Sequence, residues 1–359
     1  MHSIIVNRFP PPTSLYHYAK DLADANSGNS ALLNILTVSP KWKNTHSGID
    51  IHPLLGHNFF ISGLLSRFTF VQARRFIIRN LSDNGTIIHM VAPFGSPAFA
   101  HGLPITATIH DSPKALFEQG LYRRMDEPAS AYANRMRVSQ IFYRMAMRLP
   151  FLSVNSKHVA NSLLEYGYSG EIFVTYPVIS STFKPIENRL ELRKRLGLPA
   201  NRILILSVSI DEVRKNLGMV KKIMGQVSEW ASIVRVGSDI GSGFHFSNLD
   251  PEMLNMVYNA CDIMLLPSLE EGFGYPIAEA LKVGLPVVAS DIEVFREVAG
   301  QSAVFVNPHS SDDILRGLRD ALGQKDTLVM NGMEMAKKFT LENLSKSLDA
   351  MYYKIMKEY

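Results

Sequence analysis

In the stretch SLEEGFGYPIAEALKVGLPVVAS, which begins at Ser268, two carboxylates bracket a glycine-rich turn: Glu271 and Glu279, with seven residues between them. Just upstream, DIMLLP reads as a strand that stops at Pro267. Pro276 suits the first position of a following helix, and Gly284 its C-terminal stop before Pro286. The turn between them is expected to aim backbone N–H groups, from about Gly274 to Ala278, beyond the sheet edge. A helix N-terminus carries roughly half a positive charge and favours phosphate there. Gly272 and Gly274 let a ligand come close to the backbone, so Gly272, Phe273, Gly274, Tyr275, Pro276 and Ile277 form the candidate contact run. A carboxylate accepts two hydrogen bonds from a vicinal diol, so an acid on either flank suits a ribose on one side and a sugar on the other. The turn is shaped for a sugar–diphosphate–nucleoside. A capping glutamate on an ordinary strand–helix turn is the plainer alternative.

Transfer of a sugar from such a donor needs positive charge at the departing diphosphate, from a divalent metal or from fixed cations. The chain holds no Asp-x-Asp pair, the nearest spelling being Asp291-x-Glu293, and His46, His52 and His57 lack metal-ligand spacing. No metal and no other cofactor is expected. Lys215 and Arg214, on the turn after the apolar run RILILSVS, are the better source of charge. In a parallel sheet that turn and the Glu271 turn leave by the same carboxyl edge, where such ligands bind.

The elements that must position these residues are legible as patterns. A chain of 359 residues, 46% hydrophobic and 19% charged, is long enough for two packed domains. Short apolar runs alternate with helical patterns in both halves, which indicates parallel sheets covered by helices. HSIIV, TIIHMV, ITATIH and FLSVN are the predicted strands of the first half; RILILSVS, SIVRVG, DIMLLP, PVVAS and AVFVN are those of the second. The extended segment IFVTYPVISSTFKP, with Pro177 and Pro185, is read as the linker, which places the domains at 1–180 and 181–339. The final helix, 340–359, carries a Leu/Met/Tyr stripe and is expected to pack back on the first domain.

The lone Cys261 excludes an internal disulfide framework and points to a reducing compartment. No signal-peptide pattern opens the chain, and no apolar run approaches the roughly 20 residues of a membrane span. A cytoplasmic location is the expectation. The net charge of +4 is unevenly spread: from Ser62 to Arg148 eleven Lys/Arg stand against five Asp/Glu, a local +6 that leaves −2 for the rest. Arg137, Arg144 and Arg148 fall on one helical face, and Arg67, Arg74 and Arg75 form a second stripe. Such patches suit phosphates, so peripheral contact with the inner face of an anionic membrane is the reading weighed against a plain solvated face. No nucleic-acid motif is present.

Ser268 to Gly300, SLEEGFGYPIAEALKVGLPVVASDIEVFREVAG, resembles the E-x7-E region of the retaining glycosyltransferases of family 4, which have the GT-B fold. LDPEMLNMVYNACDIMLLPS is similar to the helix and strand leading into that loop, SVSIDEVRKNL to the family's phosphate-binding turn, and AVFVNP to the strand downstream. In the first half, ITATIHDSP is similar to the family's His-Asp strand end and FLSVNSKHVANSL to the strand before the linker. The likeness covers most of Ile105 to Pro308.

The resemblance implies two Rossmann-like α/β domains with parallel sheets facing across a cleft. It implies transfer from a nucleotide diphosphate sugar to a hydroxyl of a glycan, or of a lipid-linked acceptor as in several relatives, with retention and without metal. Lys215 and Arg214 would take the diphosphate with Ser209 at the head of their turn, Glu279 the ribose, Phe246 the base, and Glu271 with His110 the sugar. Thr13 and Ser14 occupy the place of the family's first glycine-rich loop on the acceptor side, and Asp111 adjoins His110. Two departures stand out. RFPPPTSLYHYAKDL has three prolines and no glycine, and Ile210 stands where the family often has an arginine. They leave a second reading, a catalytically inactive nucleotide-sugar-binding subunit of a glycosyltransferase complex.

Overall fold

The computed structural model describes residues 2–7, 14–25, 30–35, 49–51, 86–93 and 104–359. Thr13, the His46, His52 and His57 group and the Arg67, Arg74 and Arg75 stripe lie outside them.

The chain divides into two compact units, Met1–His110 with Ala133–Val178 and Thr340–Tyr359, and Asp111–Tyr132 with Ile179–Phe339. Asp111–Tyr132, which the sequence reading assigns to the first domain, therefore belongs to the second. Its backbone shows why. The N–H groups of Val213 and Arg214 donate to the carbonyls of Arg123 and Leu121, both at 2.9 Å, and Arg124 pairs with Glu212 as an antiparallel bridge. Pairing across about ninety residues leaves no trace in a local pattern.

The first unit is built on β1 (His2–Asn7), β2 (Ser30–Ile35), β3 (Ile49–Ile51), β4 (Thr86–Met90), β5 (Ile105–Ile109), β6 (Phe151–Val154) and β7 (Glu171–Val174). They lie in the order β3-β2-β1-β4-β5-β6-β7, every pairing parallel. β5 and β6 are buried at every residue, as the strands of a parallel sheet covered on both faces should be, and their Thr106, Thr108 and Ser153 hydroxyls are hydrogen-bonded. The helix Leu341–Glu358 is capped by Thr340, whose hydroxyl accepts from the Asn343 N–H. Its stripe of Leu344, Leu348, Met351, Tyr352 and Ile355 packs on Tyr18, Leu22, Ile87, Val91 and Phe151 of this unit. Burying each such side chain contributes about 1.5–3 kcal/mol. A polar clasp fixes its register: buried His89 bridges the Tyr352 hydroxyl at 2.8 Å and the Thr108 hydroxyl at 2.7 Å.

The second unit is built on β8 (Ile203–Ser209), β9 (Ala231–Gly237), β10 (Phe244–Phe246), β11 (Ile263–Leu266), β12 (Val287–Ser290) and β13 (Ala303–Val306). The order is β10-β9-β8-β11-β12-β13, again parallel throughout. Ile205, Val220, Ile233, Leu265, Val288 and Leu318 belong to its core. The strand order reverses between β8 and β11. In an open α/β sheet, that switch point is where the loops diverge and leave a crevice beyond the strand ends.

Candidate functional site

The two loops that leave β8 and β11 meet at the switch point, and they carry the charged residues singled out from the sequence. After β8, a 3-10 turn over Val213–Lys215 brings Arg214 and Lys215 inward. After β11, Glu271 turns to meet them. Lys215 Nζ donates to Glu271 Oε1 at 2.5 Å, and Arg214 donates to Glu271 Oε2 at 2.5 Å. Ser268 adds a third bond to the carboxylate, on Oε1 at 3.0 Å, and Arg214 Nε pairs with Glu212 at 2.7 Å. Lys215 and Glu271 are 8% and 5% exposed, so these pairs are largely shielded from water. Burial alone would push the Glu271 carboxyl up, but Lys215 and Arg214 beside it pull it down to about 2. Burial depresses Lys215 against the opposing pull of Glu271, and Arg214 is held charged by Glu271, Tyr122 and Glu212 in spite of its burial.

Tyr122, absent from the sequence reading, completes this cluster. The Arg214 guanidinium sits 4.7 Å from its ring centroid, and its hydroxyl donates to Asp111 at 2.9 Å. Asp111, expected on the acceptor side, is thus tied within the second unit to the cation cluster. No local signal marks Tyr122, because only the pairing of residues 121–124 with 212–214 brings it there.

The glycine-rich turn differs from the expectation in detail. The helix is Tyr275–Val283 with Gly274 as its N-cap, so Pro276 is its second residue rather than its first. Pro276 has no N–H, and the Ile277 and Ala278 N–H groups both turn back to the Gly274 carbonyl, at 3.0 and 3.4 Å. The Ile277 and Ala278 donors are therefore not aimed outward, as the sequence reading expects. Gly274 has φ +93°, and a Cβ there would stand 2.9 Å from Phe295 Cε1, so both conformation and space require glycine. Phe273 is 2% exposed, with its ring against Tyr275 and Phe339, so the side chain anchors the loop.

Glu279 lies one turn into the helix, half-buried, and its Oε2 accepts from the Tyr258 hydroxyl at 2.6 Å. Burial pushes its carboxyl up to about 7, and the Tyr258 bond holds it from rising further. Ser209 ends β8, and Phe246 ends the short edge strand β10, half-buried. Ile210, beside Ser209, is 51% exposed and uncharged.

In the first unit, His110 follows β5, half-exposed, edge-on to Tyr18 at 5.0 Å. Its Nε2–H donates to the Val91 carbonyl at 2.6 Å, which orients the ring. Ser14 opens the helix Ser14–Ala25. Arg137, Arg144 and Arg148 are exposed. Among the described residues no helix is long and apolar enough to cross a membrane.

Two parallel-sheet α/β units with the final helix returned to the first define the GT-B fold of glycosyltransferases. The chain superposes over its whole length on sucrose-phosphate synthase from Thermosynechococcus elongatus, with a TM-score of 0.78, 17% identity and 100% of both chains covered. It also superposes on HepE from Anabaena, solved in complex with UDP-glucose, with a TM-score of 0.76, 17% identity, and 99% and 100% of the two chains covered. At that identity the likeness is one of fold. Residues 241–339 match the family described as Glycosyl transferases group 1. Over 195 residues the chain is 28% identical to the serotype-specific mannosyltransferase WbdA of Escherichia coli, covering 46% of this chain and 24% of that one. Over 96 residues it is 35% identical to the O-antigen chain mannosyltransferase B of Escherichia coli, covering 26% of this chain and 25% of that one. The matched stretches thus span about a quarter of these relatives' length.

Proposed function

We propose that the chain is a retaining, metal-independent glycosyltransferase that moves a sugar from a nucleotide diphosphate sugar to a hydroxyl of a glycan or lipid-linked acceptor. One observation carries this reading: both loops at the β8–β11 switch point contribute to a single buried Lys215–Glu271–Arg214 cluster. The family match over residues 241–339, which includes the Glu271–Glu279 block, supports it.

The ion pairs suggest how the cluster works. An arriving diphosphate competes with Glu271 for Lys215. As Lys215 turns to phosphate, Glu271 Oε1 loses its strongest partner and becomes an acceptor for a sugar hydroxyl, while Arg214 still anchors Oε2. Bond cleavage leaves negative charge on the departing phosphate oxygen, where Lys215 and the Gly272–Gly274 backbone stabilise it. That oxygen takes the acceptor's proton as the new bond forms on the same face, so the anomeric configuration is kept. Glu279 accepts from the ribose hydroxyls, with Phe246 toward the base. His110 keeps the role that the resemblance implies, a contact to the sugar; His110→Ala is expected to lower turnover and leave nucleoside diphosphate affinity unchanged. The exposed arginines of Arg137–Arg148 would favour an anionic membrane, which co-sedimentation with phosphatidylglycerol vesicles tests.

The mannosyltransferases among the relatives make mannose the first sugar to try. A thermal-shift screen of GDP, UDP and ADP and their mannose and glucose conjugates, with and without EDTA, tests the reading. A ligand at a hundred times its dissociation constant adds about 2.7 kcal/mol. Transfer or hydrolysis of the stabilising conjugate in EDTA, with an anomer retained by NMR, is the expected result. Stabilisation without turnover would instead indicate the inactive subunit, and no stabilisation would overturn both.

A further inference from the structure

The charges at the β8–β11 edge do not balance in the way an anion site requires. Arg214 and Lys215 are matched by Glu212 and Glu271, and Asp111 joins them through Tyr122, so the cluster as it stands carries no net positive charge. One other cation stands at the same strand end. Arg235, on β9, is fully buried, and its guanidinium reaches the C-terminal ends of β8 and β9. One terminal nitrogen donates to the Ser207 carbonyl at 2.9 Å and to the Val236 carbonyl. The other donates to the Ser209 carbonyl and, at 3.1 Å, to the Ser209 hydroxyl. Its Nε is buried without a partner. Among the described residues no carboxylate pairs with it; Asp211 and Asp239, in the loops that follow β8 and β9, act on it only through space.

The backbone is shaped around this side chain. Gly237 has φ +111°, and a Cβ there would lie 2.0 Å from the Ser209 carbonyl oxygen. A residue with a side chain would push the β8 end off the guanidinium. Burial lowers Arg235 only to about 10, so it stays protonated at neutral pH. An unpaired buried cation costs several kcal/mol, and neutral donors would serve three carbonyls as well. A charge kept at such cost is explained by an anion that arrives beside it. Ile210, the first residue of the turn, brings no charge of its own.

We propose that Arg235 is a positioning residue for the donor diphosphate: it fixes Ser209 at the end of β8 and supplies a positive charge at that strand edge that, among the described residues, no carboxylate contacts. The inference rests on the donor reading above. The test measures, by calorimetry, dissociation constants of GDP, GMP and guanosine, and of UDP, UMP and uridine, for the wild type, Arg235→Gln and Arg235→Lys. Gln keeps donors without charge. It is expected to weaken the diphosphate about tenfold, the monophosphate about threefold and the nucleoside less than twofold. Lys keeps the charge and is expected to hold the diphosphate within about threefold of wild type. Equal weakening of all three ligands by a factor, in either variant, would show a packing role and overturn the proposal, as would unchanged diphosphate affinity in folded Arg235→Gln. If Arg235→Gln does not fold, Arg235→Lys decides: selective loss of the diphosphate, or uniform loss, overturns the proposal. A wild type that binds no nucleoside diphosphate overturns the donor reading itself, and this inference with it.

Discussion

Replacing Lys215 by methionine separates what the cluster does for stability from what it does for chemistry. Methionine keeps most of the buried volume but removes the charge that Glu271 Oε1 meets at 2.5 Å. Glu271 is held down at about 2 against its burial, by Lys215 and then Arg214. Its folded value is depressed, so its contribution is present above about pH 4.5 and lost as pH falls through about 2. Arg214 and Ser268 remain bonded to the carboxylate, so Lys215→Met forfeits only part of this, on the order of 2 kcal/mol at pH 7. For a unit of this size that lowers Tm by about 4–8 °C, read by the fluorescence of Trp230, which lies in the second unit. The double variant Lys215→Met with Glu271→Gln leaves no unpaired carboxylate and should recover most of the lost stability. Turnover should behave differently. Both variants should be slower than wild type by two to three orders of magnitude, because the charge at the leaving diphosphate is missing in each. A folded Lys215→Met that keeps more than a tenth of wild-type turnover would refute the reasoning, and a double variant less stable than the single would refute the pairing.

Glu279→Gln should reveal the raised carboxyl. Because its folded value near 7 lies above that of a free glutamate, its stabilising contribution is complete below about pH 4.5 and lost as pH rises through 7. Ligand-free melts at pH 5 and pH 8 should show the variant gaining on wild type, by up to about 3 kcal/mol. Affinity for guanosine or uridine should tighten from pH 6 to pH 8 in wild type and stay flat in the variant. Gly274→Ala forces a side chain into a left-handed backbone against Phe295 and should cost about 1–3 kcal/mol in denaturant titrations. Tyr122→Leu removes the ring under Arg214 and should lower turnover more than Tyr122→Phe, which keeps the ring and loses the bond to Asp111. Equal losses would place the effect in the hydroxyl instead.

What the sequence shows of this fold follows from burial. β5, β6, β11 and β12 are buried at every residue and read as short runs of apolar and small hydroxyl residues with no charge. SALLNI (β2) is short and interrupted by polar residues, EIFV (β7) is read as linker, and the β10 residues FHF sit in a Gly/Ser-rich stretch at the sheet edge. None of the three presents a buried-strand signature. Lys215 and Glu271 are legible because each stands just past an apolar strand. That they neutralise each other is not, because the two loops are 56 positions apart. Tyr122, Tyr258 and Arg235 act through contacts made only by tertiary packing. Arg235 in particular hides inside SIVRVG, where a strand pattern gives no hint that its guanidinium folds along the sheet to the strand end.

The most direct test is a crystal structure with the nucleoside diphosphate that stabilises the protein most. The diphosphate is expected beyond β8 and β11, within hydrogen-bonding distance of Lys215 Nζ, with the Glu271 Oε1 bond to that lysine opened. A nucleotide bound elsewhere, with Lys215 still closed on Glu271, would contradict the assignment.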